Sequence, residues 1–220
     1  MMRATTLLAL LLVTVITPGS ASAAGPVPSS LTALESSAED LVDVALAGNR
    51  QGVVTGATEL STLANGPAAA SLSRAGVPHV LIGRLKQRAG VVRGLAARGA
   101  FVRVALAANA VSGLMAQLYG HFRDRVPPSV LALDYLDREA HLRSLVGERK
   151  GVANAVKHLE PTWTSLRRKV IASGGTKEAA AFDKHVAAMK RLVGGPLSGV
   201  RAEALHGLVL VDQLEGVFTR

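Results

Sequence analysis

Apolar residues recur at three- and four-residue steps almost throughout this chain, and nowhere do they alternate strictly with polar ones. This pattern limits the fold more than any other feature. It fits the 3.6-residue turn of a helix and not the two-residue repeat of a strand. No hairpin-type turn pair joins alternating runs either. The class expected is all-α.

The longest run follows Val126-Pro127-Pro128-Ser129 and reaches about Ile171. The two prolines fix φ and lack an N–H, which suits the first turn of a helix, and Ser129 is placed to cap it. Leu131, Tyr135, Leu142, Leu145, Val152, Val156, Leu159, Trp163, Leu166 and Val170 then share one face at about 100° per residue. Pro161 predicts a kink or a fresh start. Trp163, the one tryptophan, lies on the apolar stripe and reads as core.

The same face carries Asp134, Arg138, His141 and Arg149. A charge there is costly unless paired and hydrogen-bonded. Asp134 and Arg138 stand four apart and can pair along the helix. In a structural reading, Asp134, Arg138 and Glu139 satisfy one another and a loop carbonyl. In a functional reading, Asp134, Arg138 and His141 line a small polar pocket, completed from the preceding helix by Asn109 or Gln117. That pocket would hold an anion, a metal or a partner.

Arg3, the apolar stretch from Leu7 to Ile16, the Pro18-Gly19 break and the small residues Ala21-Ser22-Ala23 together read as a secretory signal peptide over residues 1–23. Cleavage is expected after Ala23 or Ala24, and the apolar stretch is too short for a permanent membrane span. No cysteine follows for a lipoprotein anchor. The mature chain is therefore expected in a periplasm or outside the cell. With no cysteine at all, disulfides, thiolate chemistry and covalent haem attachment are excluded, and packing alone must hold the fold. No later segment reads as a transmembrane helix free of a charge or polar break.

Residues 24–220 are expected to form a single helical-bundle domain. The first helix begins near Ser30 or Thr32, where Thr32 and Glu35 have capping-box spacing, and runs to Asn65 with a kink at Gly48-Asn49. Residues 68–76 are a loop or short turn. A second helix starts near Pro78 and continues toward Phe122. The proline-led run is the third. A fourth spans Thr176 to about Val193, and a last segment spans about Ser198 to Phe218. The architecture expected is an antiparallel up-down four-helix bundle with long, kinked or broken helices.

The net charge is +9, and it is unevenly spread. Ahead of Gly66 the mature chain carries Glu35, Glu39, Asp40, Asp43 and Glu59 against Arg50. From Gly66 to Arg123 there is no acidic residue, against Arg74, Arg84, Lys86, Arg88, Arg93, Arg98, Arg103 and Arg123. The basic segment either packs beside the acidic first helix or serves as an electrostatic footprint for an anionic surface. Aromatic residues for base stacking do not interleave with it, so no nucleic-acid partner is expected.

A carboxylate-bridged di-iron bundle needs two Glu-x-x-His elements, and only Glu203-Ala204-Leu205-His206 is present. Asp137 with His141, and His185 with Met189, stand four apart and are weak metal pairs. The bundle resembles the small four-helix cytochromes in architecture alone, since Cys-x-x-Cys-His is absent. No nucleophile elbow or phosphate loop occurs. The expectation is a non-enzymatic exported bundle with no metal or cofactor, in an interaction or structural role with an unidentified protein or envelope component. The alternatives are a small-ligand or metal carrier at the Asp134/Arg138/His141 face, and an anionic-surface binder through the basic second helix.

Overall fold

The structure, a computed structural model, describes residues 25–220, so the expected signal peptide lies outside the described residues. They form ten α-helices: α1 (Ser29–Leu46), α2 (Arg50–Asn65), α3 (Pro67–Arg74), α4 (His79–Ala96), α5 (Phe101–Ser112), α6 (Met115–Tyr119), α7 (Pro128–Leu145), α8 (Arg149–Ala172), α9 (Thr176–Leu192) and α10 (Leu197–Thr219). Among the described residues there is no strand, only an isolated bridge between Pro26 and Arg123. The protein is all-helical.

The single four-helix bundle of the sequence reading gives way to two rings of helices. In the first, α1 packs on α2, α2 on α4, α4 on α5 and α5 back on α1. In the second, α7 packs on α8, α8 on α9, α9 on α10 and α10 back on α7. Connections of a few residues make sequential neighbours antiparallel. Each ring has its own apolar core. One is centred on residues such as Leu34, Leu60, Leu85 and Val104, and the other on Leu133, Trp163, Phe182 and Leu214. Helix α7 joins them: it also packs on α5 and α6, and its Leu142 belongs to the first core.

What the apolar period suggested were kinks are reversals. Gly48 adopts φ +68°, Asn49 caps α2 by accepting from the Gly52 N–H at 3.0 Å, and α2 folds back on α1. Gly99, also at φ +68°, does the same between α4 and α5. A left-handed residue at a helix end stops the helix and redirects the chain, which a positional apolar pattern does not register. The proline-led run breaks at Gly147, φ +75°, and not at Pro161, which lies exposed inside an unbroken α8. The Thr32–Glu35 capping box does not form. Helix α1 begins after Pro28 without a side-chain cap, and Glu35 accepts from the Tyr119 hydroxyl instead. Residues 67–74 form the short helix α3.

The expected one-sided stripe on the proline-led run does not describe α7. Buried residues occur on most of its circumference, from Val130 and Leu133 to Glu139, His141 and Ser144, because helices of both rings surround it. The stripe does describe α8, where Val152, Val156, Leu159, Trp163, Leu166 and Val170 are buried. Phe101–Tyr119 is long and apolar enough to cross a membrane by length and composition, but it carries Arg103 and the polar break that the sequence reading requires. Half of that stretch is buried within the protein, and it is broken between α5 and α6 at Gly113-Leu114.

Candidate functional site

The three residues read from the sequence as one pocket share an arc of α7, but two neighbouring helices divide that arc. Arg138 Nη1 lies 2.7 Å from the Asp134 carboxylate and 3.3 Å from Glu39 of α1. Burial pushes the Asp134 pKa up to about 7, against the lowering pull of Arg138. His141 turns toward α10, with Nδ1 3.4 Å from the Arg201 carbonyl oxygen, and burial holds its pKa below the usual histidine value. Asn109 of α5 is fully buried and donates from Nδ2 to Glu139 at 2.9 Å, while its Oδ1 has no partner. Gln117 is exposed on α6. The five residues do not converge. The pairing of Asp134 with Arg138 follows the structural reading, extended by a carboxylate from α1.

A tighter constellation lies in the second ring. On α9, Phe182, His185, Val186 and Met189 form the buried face, so His185 occupies a core position by period. On α7, Asp137 likewise sits one turn from Leu133 and one from Ala140, and is fully buried. The two side chains meet across the helix interface: His185 Nε2 lies 3.0 and 3.2 Å from the two Asp137 carboxylate oxygens. The other ring nitrogen, Nδ1, lies 2.9 Å from Glu203 Oε1 on α10. One helical turn on, His206 Nδ1 lies 3.5 Å from the same oxygen. The His185 ring stands edge-on to Phe182 and to His206, at centroid distances of 5.1 and 6.3 Å.

The approach of α10 that makes this possible depends on Gly207. A Cβ there would lie 2.5 Å from Asp137 Oδ2 and 2.6 Å from His185 Cε1, closer than real contacts allow. Glycine costs about 1 kcal/mol against alanine inside a helix, and here the absence of a side chain is what admits the pair.

Burial alone would depress the His185 pKa, but the Asp137 carboxylate on Nε2 and Glu203 on Nδ1 outweigh it and hold the value above the ordinary one. Burial raises the Asp137 pKa in turn, opposed by His185. Each ring nitrogen faces a carboxylate, so a doubly protonated ring can donate to both.

The same geometry fits a metal ion. The ligating atoms of His185, Glu203 and His206 all lie within 4.8 Å of one another. Two imidazoles and one carboxylate suit zinc and its first-row neighbours. A ligating histidine characteristically donates its second N–H to a carboxylate, which fixes the tautomer and aims the ring. Asp137 is placed to do this for His185, leaving Nδ1 directed at Glu203. Because His206 is 57% exposed and Glu203 21%, the set faces solvent on one side.

The sequence offered one pair of this site, Glu203 with His206, and set its other members in pairs along a single helix. Asp137 was matched with His141 and His185 with Met189, each along its own helix. The partners are on three different helices, and Met189 is fully buried in the apolar core. The signal available was two polar residues, Asp137 and His185, at core positions on separate helices, each needing a partner there. No protein-family model, curated protein or solved structure matches this chain. The class defined by fold and site is an all-helical protein with two cores and a His–Glu–His cluster on a buried aspartate.

Proposed function

We propose that this is an exported helical protein of the cell envelope that holds one divalent transition-metal ion on His185, Glu203 and His206. Export is supported by the leader-like first 23 residues. The observation that carries the metal reading is the buried Asp137 carboxylate on His185 Nε2, which points the remaining nitrogen at the other two ligands. Binding an ion would displace the proton from Nδ1, so affinity would rise with pH.

A carrier, sensor or structural role is favoured over catalysis by how the nearby groups are used. Glu203 is a ligand and Asp137 is spent on orienting His185, so neither carboxylate is left to act as a general base beside the ion.

The test is titration of the metal-stripped protein with Zn2+ by calorimetry and with Co2+ by visible absorption. Wild type should bind one equivalent, and tetrahedral Co2+ should give d–d bands. His206→Ala, at an exposed ligand, should lose binding with the fold intact. Asp137→Asn should weaken binding by about 10–100-fold. Binding unchanged in His206→Ala, or no binding by a folded wild type, would leave Asp137, His185 and Glu203 as a structural ion network and overturn the reading.

A further inference from the structure

The basic segment contains a second feature, independent of the metal cluster. Arg84, Lys86, Arg93 and Arg98 on and just after α4, and Arg103 on α5, are all exposed. Among the described residues none of the five is in an ion pair. The basic segment does pack beside the acidic first stretch, α5 on α1 and α4 on α2, but these five side chains form no direct ion pair with it. Helix α2 packs on α4, but Glu59, its one acidic residue, lines the groove toward α1 with Asp40. Arg88 is the exception on α4: it turns inward and donates to the Ala110 carbonyl.

At about 100° per residue, Val80, Arg84 and Val91 project together on α4, and Lys86 and Arg93 project together about 140° away, with Arg98 in the turn just past the helix end. Between the two rows lie Gly83, Gly90 and Gly94. A Cβ at any of the three would meet nothing within 4 Å, so the floor between the basic rows is bare helix backbone open to solvent. Val80 and Val91 stand out from it at 65% and 52% exposed. The fold turns the whole arc outward and leaves its charge uncompensated.

We infer that the solvent face of α4 docks flat on an anionic lipid surface. The two basic rows straddle the contact line and take headgroup phosphates, the glycine floor lets the backbone approach, and Val80 and Val91 reach the headgroup–acyl boundary. Charge complementarity selects an anionic partner. The two exposed valines beside Arg84 select a surface with an apolar layer beneath its charge over a wholly polar polyanion, and α4 offers no aromatic for stacking a base.

The experiment is co-sedimentation of the protein with phosphatidylglycerol-containing vesicles and with phosphatidylcholine vesicles, beside heparin affinity as a soluble-polyanion control. Wild type should bind only the anionic vesicles and lose binding steeply as salt is raised. Arg84→Glu with Arg98→Glu should weaken vesicle binding at least about tenfold, whereas the charge-matched exposed pair Lys150→Glu and Lys157→Glu on α8 should weaken it far less. Val80→Ser with Val91→Ser should weaken vesicle binding and leave heparin affinity unchanged. Equal losses from the two charge-reversal pairs would reduce the effect to net charge and overturn the assignment to α4. A valine variant that binds vesicles like wild type would overturn the lipid surface in favour of a soluble polyanion.

Discussion

Gly207 is the residue on which the His185 cluster depends most directly. Its missing side chain brings α10 within reach of both Asp137 and His185. Gly207→Ala should destabilise the protein by about 1–3 kcal/mol, as overpacking a closed interior does, even though alanine is the better helix former. Urea denaturation gives the number, and a stabilised variant would mean that the helices separate there without cost. Asp137→Ala should be more damaging, at about 3–5 kcal/mol, because it leaves a buried imidazole facing an emptied site. Asp137→Asn keeps a hydrogen-bond acceptor and should lose less, so comparing the two separates the cost of the cavity and lost partner from that of the charge.

At the level of elements, the informative helix is α8. Pro161 lies in its interior, where it forfeits the hydrogen bond to the residue 157 carbonyl. The helix continues because that side of it is exposed: Lys157 and Pro161 are both at the surface, so the freed carbonyl can turn to water. Packing of Leu159, Trp163 and Leu166 against the second core then overrides the local preference to stop. Pro161→Ala should therefore raise stability by about 1–3 kcal/mol, seen as a higher Tm with unchanged helix content. Gly48→Ala acts the other way. It forces a side chain into φ +68° at the α1–α2 reversal and should cost about 1–2 kcal/mol.

At the scale of the molecule, the two rings meet along a seam rich in carboxylates. A cleft of about 430 Å³ there is lined by Glu35, Glu39, Asp124 and Glu215, with Tyr119 and Leu131. Burial raises the Glu35 pKa to about 7, partly opposed by the Tyr119 hydrogen bond. It raises Asp134 to about 7 as well, and Glu215 shifts in the same direction. A carboxyl with a raised folded-state pKa holds its proton longer in the native state than in the unfolded chain. Its stabilising contribution is complete below the ordinary value, 4.5 for Glu35 and 3.8 for Asp134, and is lost as pH rises through about 7. His185, also raised, acts in the same sense, while His141, held low by burial, opposes it on the acid side. The Tm should fall between about pH 4 and pH 7 and level off above that, with Glu35 and Asp134 each contributing on the order of 1–3 kcal/mol. Glu35→Gln should flatten that fall. An unchanged profile would assign the pH dependence elsewhere.

The helical period settled the class and most element positions, because burying one face is a local requirement written at every turn. The proline-led helix as organising element was legible too: α7 is the helix both cores share. The apolar period could not distinguish a kink from a reversal, since Gly48, Gly99 and Gly147 act through backbone φ while the pattern resumes on the other side. The chain therefore read as one bundle of long helices where the structure has two rings of shorter ones. The site was legible only as pieces. Spacing along a helix tests i,i+3 and i,i+4 pairs, and Glu203 with His206 is such a pair. The contacts of Asp137 with His185, and of His185 with Glu203, cross between helices, and only the packing of α7, α9 and α10, admitted by Gly207, brings them together.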